Sequence, residues 1–495
     1  MSSYETQLLS TSARHSHSLV HSVDNGFHSL GDFITRNAWS PLCNIARAKA
    51  LEVLREISQG ELTVLTNGES HTFGTPFQCP SGRLLKATLI VRNESFWTRL
   101  ALFGDLGFAE AHMDGEIDCE ELSTLLHIFI YNRKRLDGLT RSVSSLLAVG
   151  RWLTSYKFLG DISTSRANIS AHYDLGNTMF TAYLSQDMNY SSAIFRDIDE
   201  DLKVERIGTE LEHQDEAHLR KMYTILSKLR LQPGDRLLEF GTGWGALSIL
   251  AASTVDCTID TLTLSSEQYE KATERIRNAG LSDKIRVYLM DYRDARKKSE
   301  WKAAFDKLVT IEMIEHVGKE FIGEFWAVAD WALKDGSDGR AVAGVVQFIS
   351  MPESRVATYD SDGADFIQKW VFPGCYIPSV NWIISTMAEN TSGRLTVDSV
   401  MNIGPHYART LREWKAKFLA NWEGIIKKAL QDQHSLDEDG LEVFKRRWLY
   451  YFDYCEAGFS TRSLGDHIIT YTRECNVGFG CDVETPDVPR PFKQF

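Results

Sequence analysis

The chain has few cysteines, and none is placed as a disulfide framework or a metal site would require. Its eight cysteines are scattered, with no CxxC pair and no zinc-type spacing. Structural zinc sites and small disulfide-rich scaffolds both depend on such spacing. No metal site is therefore predicted, and a reducing, intracellular setting is expected.

The chain also lacks an excess of positive charge and any long apolar run. Its formal net charge is -13, whereas a duplex nucleic-acid binder needs clustered lysine and arginine. No uncharged apolar window of roughly 18 residues is present, so no bilayer-spanning helix is predicted. The N-terminal residues do not have the pattern of a secretory signal. We expect a cytoplasmic protein that binds no nucleic acid, with a mobile N-terminal segment over residues 1–50.

One stretch is basic although the chain as a whole is acidic. Residues 133–166 carry seven Lys or Arg against two Asp, interleaved with Leu, Val, Trp, Tyr and Phe. This composition is typical of a helix that lies on a membrane surface. An interdomain helix with a solvated basic face has the same composition, so both interpretations stay open.

Length and pattern indicate two domains. The chain has 495 residues, more than the roughly 250 to 300 that one core usually supports. The first part of the chain mixes a helix-like segment near 41–60, strand-like pieces at 61–65 and 84–91 and a helical region at 120–131, which predicts a small accessory domain over 51–165. From residue 237 apolar strands alternate with amphipathic helices, which predicts an α/β domain over 166–495 with a mostly parallel, doubly wound sheet and inserted helices. Its predicted strands are 236–240, 258–264, 285–289, 307–311, 341–348, 395–402 and 467–472, and a helical block is predicted at 410–454.

A glycine loop joins the first of these strands to a helix in LLEFGTGWGALSILAA, residues 237–252. Gly241 and Gly243 allow a tight turn and let a ligand approach the backbone before a helix with unpaired amides. The acidic strand end at Glu239 suits the cationic amine of S-adenosylmethionine. The next strand lacks the terminal carboxylate that would hold the ribose of NAD. S-adenosylmethionine is the predicted ligand, with NAD or an ordinary glycine turn as alternatives.

A second acidic strand end occurs in FDKLVTIEMIEHVG, residues 305–318. Here an apolar strand runs into Glu312, Glu315 and His316. From the residues alone, the two acids are candidates for acid–base work or metal ligation. The carboxyl end of a parallel strand is where open α/β sheets bind ligands.

Several further segments cannot be explained by periodicity and resemble one family in order along the chain. They are GDLGFAEAHMDG (104–115), HYDLGNTMFTAYLSQDMNYSSAIF (172–195), TLTLSSEQ (261–268), DYRD (291–294), VVQFIS (345–350), DFIQKWVFPG (365–374), HYARTLREW (406–414) and YYFDYCEAGF (450–459). Together with the two segments above, they resemble the cyclopropane-fatty-acyl-phospholipid synthases and the related mycolic-acid cyclopropane synthases. VVQFIS and YYFDYCEAGF are more similar to the plant and fungal branch.

The resemblance implies a class I S-adenosylmethionine-dependent methyltransferase fold for residues 166–495 and a lipid-binding or dimerisation domain for 51–165. It implies a peripheral membrane enzyme, a possible homodimer, that transfers a methylene group to the cis double bond of an unsaturated phospholipid acyl chain. An alkene is a weak nucleophile, so the methyl group must be held close and in line. The resulting cation must lose a proton to a base in a site without water.

In this family the base is held to be a bound bicarbonate ion. The resemblance places its contacts at Ser192, Glu315, Gln347, Ile349 and Tyr407. Ser192 stands where cysteine is usual, and its backbone amide is expected to keep the contact. Gln347 replaces a histidine and can donate a hydrogen bond without titrating.

The resemblance implies different roles for Glu312 and Glu315. Glu315 falls on the bicarbonate-holding position, and a carboxylate beside an anion requires that one of them keep a proton. We therefore predict a raised pKa for Glu315. Glu312 stands where bacterial relatives often have glycine, and His316 is interpreted as a structural residue.

The resemblance also places the cofactor contacts and a cysteine. The cofactor positions are Tyr190 and Ser191 beside the sulfonium, Gly241 and Gly243 in the loop, Thr263 and Gln268 at the ribose, and Asp291 and Tyr292 at the adenine. Cys455 matches a cysteine that has been taken for a catalytic residue, but the mechanism needs no thiolate, and burial as a small apolar residue is the favoured interpretation. Six aromatic residues are candidates for an acyl tunnel: Tyr173, Phe180, Tyr183, Phe195, Trp370 and Phe372. Most aromatic residues of a chain pack in its core, and a functional role is favoured first for Tyr173 and Phe372.

Two other outcomes remain open at this point. The same first step can end in a methyl-branched or methylene chain if the cation loses a different proton. A non-catalytic lipid-binding descendant is the other alternative, for which the unusual Ser192 and Gln347 are the only support.

Overall fold

The computed structural model describes residues 40–136, 176–196, 198, 212–361, 365–434 and 436–480. The N-terminal part is a small sheet covered by helices, with strands in the order β2-β1-β4-β3 and β5 beside β4. Its strands are β1 (Gly60–Thr66), β2 (Glu69–Thr75), β3 (Phe77–Gln78), β4 (Leu84–Val91) and β5 (Ile117–Asp118). Its helices are α1 (Ser40–Leu54), α2 (Ser95–Met113) and α3 (Leu122–Leu136). The strands predicted at 61–65 and 84–91 and the helix predicted at 120–131 are confirmed.

Helix α1 begins inside the segment 1–50 that was predicted to be mobile. Ala46, Ala50 and Leu54 recur every four residues, so they share one helix face. Ala50 and Leu54 are buried in the core, and Ala46 packs against it. The prediction of a mobile segment is therefore wrong for residues 40–50, which belong to the N-terminal unit.

The second sheet has seven strands in the order β11-β12-β10-β9-β6-β7-β8. Strands β6 to β10 run parallel to one another, and β12 is antiparallel to both β10 and β11. The strands are β6 (Arg236–Phe240), β7 (Thr258–Thr263), β8 (Ile285–Leu289), β9 (Lys307–Ile311), β10 (Ala343–Ser350), β11 (Leu395–Asn402) and β12 (Gly465–Arg473). The predicted mostly parallel sheet is confirmed, with β10 shifted by two residues from the predicted 341–348.

Helices cover both faces of this sheet and extend beyond it. They are α4 (Asn177–Tyr183), α5 (Gln214–Leu229), α6 (Ala246–Thr254), α7 (Ser266–Asn278), α8 (Ile322–Ala332), α9 (Glu353–Ser361), α10 (Val380–Asn390), α11 (Gly404–Asn421), α12 (Lys427–His434) and α13 (Glu438–Ser460). The predicted helical block 410–454 is divided by a π-helical turn over Trp422–Ile426 and again before α13. None of the helices in the described ranges is long and apolar enough to cross a membrane.

An aromatic-rich core joins the N-terminal unit to the helices inserted in the second part. Trp97 and Phe108 of α2 lie in the same buried cluster as Trp414 of α11 and Trp448 of α13. Helix α13 packs against both α2 and α3. The predicted domain boundary near residue 165, and the basic stretch beyond Leu136, lie outside the described residues.

Candidate active site

A cavity opens at the carboxyl ends of the central parallel strands. The chain order reverses between β6 and β9, and open α/β sheets bind ligands at such a reversal. The cavity is lined by residues 188–191, 239–244, 246–247, 262–264, 268, 290–293, 311–313 and 316–317. All nine predicted cofactor residues are among them, so the structure brings together segments that are far apart in the sequence.

The glycine loop leaves space at the cavity wall. Gly241 and Gly243 have φ angles of 93° and 52°, in the left-handed region that glycine adopts most easily. A Cβ atom at Gly243 would meet no other atom within 4 Å. The amides of Gly241 and Thr242 donate to the carbonyl of Leu262 on β7, at 3.0 and 2.8 Å, and helix α6 begins directly after the loop. The loop is thus anchored on the sheet and open toward the cavity.

Glu239 at the end of β6 is held by two hydroxyl groups. Its Oε2 accepts hydrogen bonds from Ser248 Oγ at 2.5 Å and Thr261 Oγ1 at 2.7 Å. Burial raises the pKa of Glu239 to about 7, and these hydrogen bonds oppose the rise. Because both bonds fall on Oε2, Oε1 is the oxygen that Glu239 offers to a ligand.

Thr263 at the end of β7 and Gln268 in the first turn of α7 line the next part of the cavity. Thr263 Oγ1 donates to Gln268 Oε1 at 2.8 Å. The side chain of Gln268 therefore keeps its amide N–H groups for a ligand, which suits a ribose hydroxyl acceptor.

Asp291 lines the cavity, but both of its carboxylate oxygens already bind the Arg293 side chain. Its two oxygens accept hydrogen bonds from the Arg293 side chain, at 2.9 Å from Nε and 2.8 Å from a terminal nitrogen. Asp291 and Tyr292 were predicted to contact the adenine. At this part of the cavity the ligand would instead meet Asp291 paired with Arg293, beside the Tyr292 ring. Arg293 was missed because an arginine two residues after an aspartate in a loop carries no distinctive pattern.

Ser191 contacts a buried lysine that was also missed. Lys221 of α5 is fully buried, and its Nζ donates to Ser191 Oγ at 2.7 Å. Burial lowers the pKa of Lys221, and Glu312 is the strongest of the acids that oppose this effect. A signal existed in the sequence, since Lys221 lies between Ala217 and Ile225 on the apolar face of an amphipathic helix.

The groups predicted to hold bicarbonate surround the side chain of Glu312. Its Oε1 accepts hydrogen bonds from the backbone amide of Ser192 and from Gln347 Nε2, both at 2.8 Å. Its Oε2 accepts the hydroxyl proton of Tyr407 at 2.8 Å. Gln347 Nε2 also donates to Asp466 at 3.0 Å. Three of the five predicted anion contacts therefore bind a carboxylate of the chain itself.

Glu315 lies behind Glu312 and holds the remaining predicted contact. Its Oε1 accepts the backbone amide proton of Ile349 at 2.5 Å, while its buried Oε2 has no hydrogen-bond partner in the described part of the chain. Burial, reinforced by the charge of Glu312, raises the pKa of Glu315 to about 8. The direction of this shift agrees with the raised pKa predicted for Glu315.

Cys455 is not part of this site. It lies on α13, partly buried, and does not line the cavity. Burial raises the pKa of the Cys455 thiol well above its usual range, so it stays a neutral thiol. Cys455 was carried over from the resemblance as a catalytic candidate, and its position away from the cavity agrees with the favoured interpretation as a packing residue. The described residues contain no group of three or more His, Cys, Asp or Glu able to hold a metal ion.

The aromatic candidates separate into wall and core residues. Phe372 lies beside the cavity, with its ring centroid 5.2 Å from that of His316 and 6.2 Å from that of Tyr190. Burial lowers the pKa of His316 to about 4, so this cavity residue is neutral. Trp370 instead donates from Nε1 to Glu110 of the N-terminal unit. Phe180, Tyr183 and Phe195 are fully buried core residues, and Tyr173 lies outside the described residues.

The seven-stranded sheet and the glycine loop after β6 are those of a class I methyltransferase fold. Two solved structures show the same fold: the cyclopropane synthase MmaA2 from Mycobacterium tuberculosis (TM-score 0.50, 24% identity, 62% of this chain and 98% of that chain) and coclaurine N-methyltransferase (TM-score 0.54, 15% identity, 74% of this chain and 98% of that chain). These likenesses concern the fold alone.

Sequence comparison identifies the family. Residues 161–467 match the family model described as mycolic acid cyclopropane synthetase. The chain is 33% identical over 386 residues to tuberculostearic acid methyltransferase UfaA1 of Mycobacterium tuberculosis, covering 78% of this chain and 83% of the relative. It is 30% identical over 389 residues to cyclopropane-fatty-acyl-phospholipid synthase of Escherichia coli K12, covering 78% and 88%. The chain belongs to the mycolic acid cyclopropane synthetase family and is an enzyme.

Proposed function

We propose that this enzyme transfers a methylene group from S-adenosylmethionine to the cis double bond of an unsaturated phospholipid acyl chain, forming a cyclopropane fatty acid. The observation that carries the proposal is that one cavity contains both the glycine loop and a hydrogen-bonded carboxylate, that of Glu312. A methyl donor and a proton acceptor are the two requirements of this reaction. The names of the relatives in Mycobacterium tuberculosis and Escherichia coli support the reaction class.

The residues at the ends of β6 and β7 fit S-adenosylmethionine. The open space at Gly243 admits a ligand close to the backbone, Glu239 Oε1 suits its ammonium group, and the Gln268 amide suits its ribose. When bound there, S-adenosylmethionine supplies an electrophilic methyl group. Its cationic centre would be near Tyr190, whose ring face stabilises positive charge.

The cavity residue Tyr190 belongs to a buried aromatic cluster that would give a lipid chain apolar surroundings. Tyr190 and Phe372 connect to Trp414 and Tyr451, with centroid distances of 5.2 Å for Tyr190–Trp414 and 6.0 Å for Phe372–Tyr451. Such a surface excludes water, which would otherwise trap a carbocation as an alcohol. The neutral His316 adds no charge that would repel the cation.

A methyl-branched product is the second candidate, because the relatives differ in their products. One is named a tuberculostearic acid methyltransferase and another, in Candida albicans, a sphingolipid C9-methyltransferase, 28% identical over 267 residues. Both outcomes share the first bond-forming step and differ in which proton the cation loses. A non-catalytic role is disfavoured, since a cluster of buried charged groups is costly to maintain without a task.

The test uses the purified full-length chain with S-adenosylmethionine and vesicles of an unsaturated phospholipid. Acyl chains are then released and resolved by gas chromatography and mass spectrometry. We expect a mass increase of one CH₂ in a product that resists hydrogenation, as a cyclopropane does and an alkene does not. Vesicles of the saturated phospholipid are the control and should stay unchanged. No product from unsaturated vesicles would overturn the proposal, and a methylene or branched chain would move it to the second candidate.

A further inference from the structure

The groups around Glu312 form a complete anion-binding set, and the anion is part of the chain. Three donors converge on its two oxygens: the Ser192 amide, Gln347 Nε2 and the Tyr407 hydroxyl, each at 2.8 Å. Carboxylates that accept two or three such bonds are strongly stabilised in the charged form. A small anion such as bicarbonate would need these same donors, so it and the Glu312 carboxylate compete for one position.

The neighbouring charged groups decide which acid is ionised. Glu312 is faced by Glu315 of its own segment, by Asp466 of β12 and by Lys221 of α5. Burial raises the pKa of Glu312, while the Ser192 amide, Lys221 and Tyr407 oppose the rise. Burial and the charges of Glu312 and Glu315 raise the pKa of Asp466 well above its usual range. Glu312 has donors on both of its oxygens, whereas Asp466 and Glu315 each leave one buried oxygen without a hydrogen-bond partner in the described part of the chain. Glu312 is therefore the acid best suited to be the anion that balances Lys221.

The backbone at Glu312 indicates that this placement is specific. Glu312 has a φ angle of 48°, a left-handed conformation that is unfavourable for a residue with a side chain. Such strain persists where the surroundings impose it and is concentrated at functional sites. The conformation points the Glu312 side chain at donors from β10, α11 and the Ser191–Ser192 segment, and the residue also lines the cavity.

We infer that the Glu312 carboxylate is the proton acceptor of the reaction, so the enzyme needs no bicarbonate. This inference rests on the proposed function. The π pair of the alkene forms a bond to the methyl carbon as the C–S bond pair returns to sulfur. Glu312 then takes a proton from that methyl group, the released C–H pair closes the second ring bond, and Glu312 is left as the neutral acid. Tyr407, Gln347 and Ser192 position the carboxylate.

The first test is a direct measurement of anion binding, independent of catalysis. ¹³C-labelled bicarbonate is titrated with the wild-type chain and with Glu312→Gly, and the bicarbonate line width is followed by NMR. Glycine suits the φ angle at this position and removes the carboxylate. We expect broadening with Glu312→Gly and none with the wild type. Binding to the wild type at the same concentrations would overturn the inference, as would a variant that stays folded and binds no bicarbonate.

The second test is chemical rescue of activity in carbonate-free buffer. Wild-type turnover should be unchanged by added bicarbonate. Glu312→Gln and Glu312→Gly should each lose about a hundredfold or more, the usual contribution of a general base. Bicarbonate should restore at least about tenfold to Glu312→Gly and nothing to Glu312→Gln, whose amide still fills the position. Calorimetric binding of S-adenosylmethionine, expected to be unchanged, excludes misfolding as the cause.

One control variant and the combination of outcomes separate the possible failures. Ser392→Gly removes a side chain at an exposed residue with a similar φ angle of 52°, and it should change neither activity nor bicarbonate response. Wild-type activity that rises severalfold with bicarbonate, or a Glu312→Gly variant fully active without it, would overturn the role of Glu312. If the wild type modifies no lipid at all, the proposed function fails, while the anion-binding result still decides whether Glu312 occupies the bicarbonate position.

Discussion

At the residue scale, the site places several ionisable side chains close together in a small buried volume. Glu312, Glu315 and Asp466 meet one buried lysine, Lys221. Three ionised carboxylates could not be accommodated there, because each uncompensated buried charge costs several kcal/mol. Proton retention by two of the acids resolves the problem. The protonation state of Glu315 then becomes measurable in the stability of the protein.

We predict that Glu315 makes the native state less stable as the pH rises toward 8. Its pKa is raised from 4.5 to about 8, so between these values the native state holds a proton that the unfolded chain releases. The stabilising contribution is complete below pH 4.5 and is lost as the pH rises through about 8. Glu315→Gln, which mimics the neutral acid, should unfold with a flatter dependence of melting temperature on pH over this range.

The matched control for this prediction is an exposed acid on the same segment. Glu320→Gln changes the same chemical group at a residue whose side chain is solvated, and it should leave the wild-type slope intact. Equal slopes for wild type and Glu315→Gln would show that Glu315 is ionised in the native state. The assignment of Glu312 as the single anion would then lose its electrostatic basis.

At the element scale, the glycine turn between β6 and α6 is what opens the sheet edge to a ligand. We predict that Gly243→Ala weakens S-adenosylmethionine binding at least about tenfold, equivalent to about 1.4 kcal/mol, because the new methyl group would project into space that the ligand needs. Isothermal calorimetry measures the effect. Gly339→Ala is the matched control, since Gly339 also has a positive φ of 77° with no atom near a Cβ, but lies in an exposed loop. An equal loss for both variants would assign the effect to backbone strain.

The elements themselves were largely predictable, because buried parallel strands appear as short apolar runs bounded by turn residues. The strands β6, β8, β9 and β11 begin and end where the pattern predicts. The break at Trp422–Ile426 was not predictable, since a π-helical turn leaves the apolar spacing almost unchanged.

The partners within the site were less predictable than the elements. Motif resemblance located Ser192, Gln347 and Tyr407, but not what they bind. Their acceptor is Glu312, 120 residues from Ser192 along the chain, and only the tertiary structure joins them. Lys221 was missed for a different reason: its place on the apolar face of α5 was visible in the sequence, but a lone lysine in an amphipathic helix is usually solvated.

At the scale of the whole molecule, a buried ion network links the N-terminal unit to helix α13. Glu456 of α13 accepts hydrogen bonds from Arg83 and from Arg412 of α11, both at 3.1 Å, and also from Ser123 of α3. We predict that Glu456→Gln destabilises the protein by about 3 kcal/mol, because it leaves two arginines facing each other in a buried place. Thermal unfolding gives the measurement.

A solvent-exposed ion pair provides the comparison for that prediction. Glu438, which pairs with Lys427 and has 73% of its side chain exposed, should tolerate Glu438→Gln with a change of about 0.5 kcal/mol or less. If Glu456→Gln is as mild as this control, the network does not hold the two parts together. A large effect accompanied by loss of both parts in one transition would indicate that they unfold as a unit.

The proposed function requires the whole molecule to reach a lipid, although its net charge is -13. We propose that the basic stretch 133–166 provides a local contact with anionic headgroups, each lysine or arginine contributing about 1 kcal/mol near the surface. Lys134 and Arg135, exposed at the end of α3, belong to this stretch. Reversing both to glutamate should weaken co-sedimentation with anionic vesicles at least about tenfold. Added salt should also weaken wild-type binding, because it screens the attraction.

The same charge change at the exposed residues Lys302 and Lys428 is the control, and it should have a smaller effect. Equal losses for the two double variants would mean that overall charge, and not this surface, governs membrane binding.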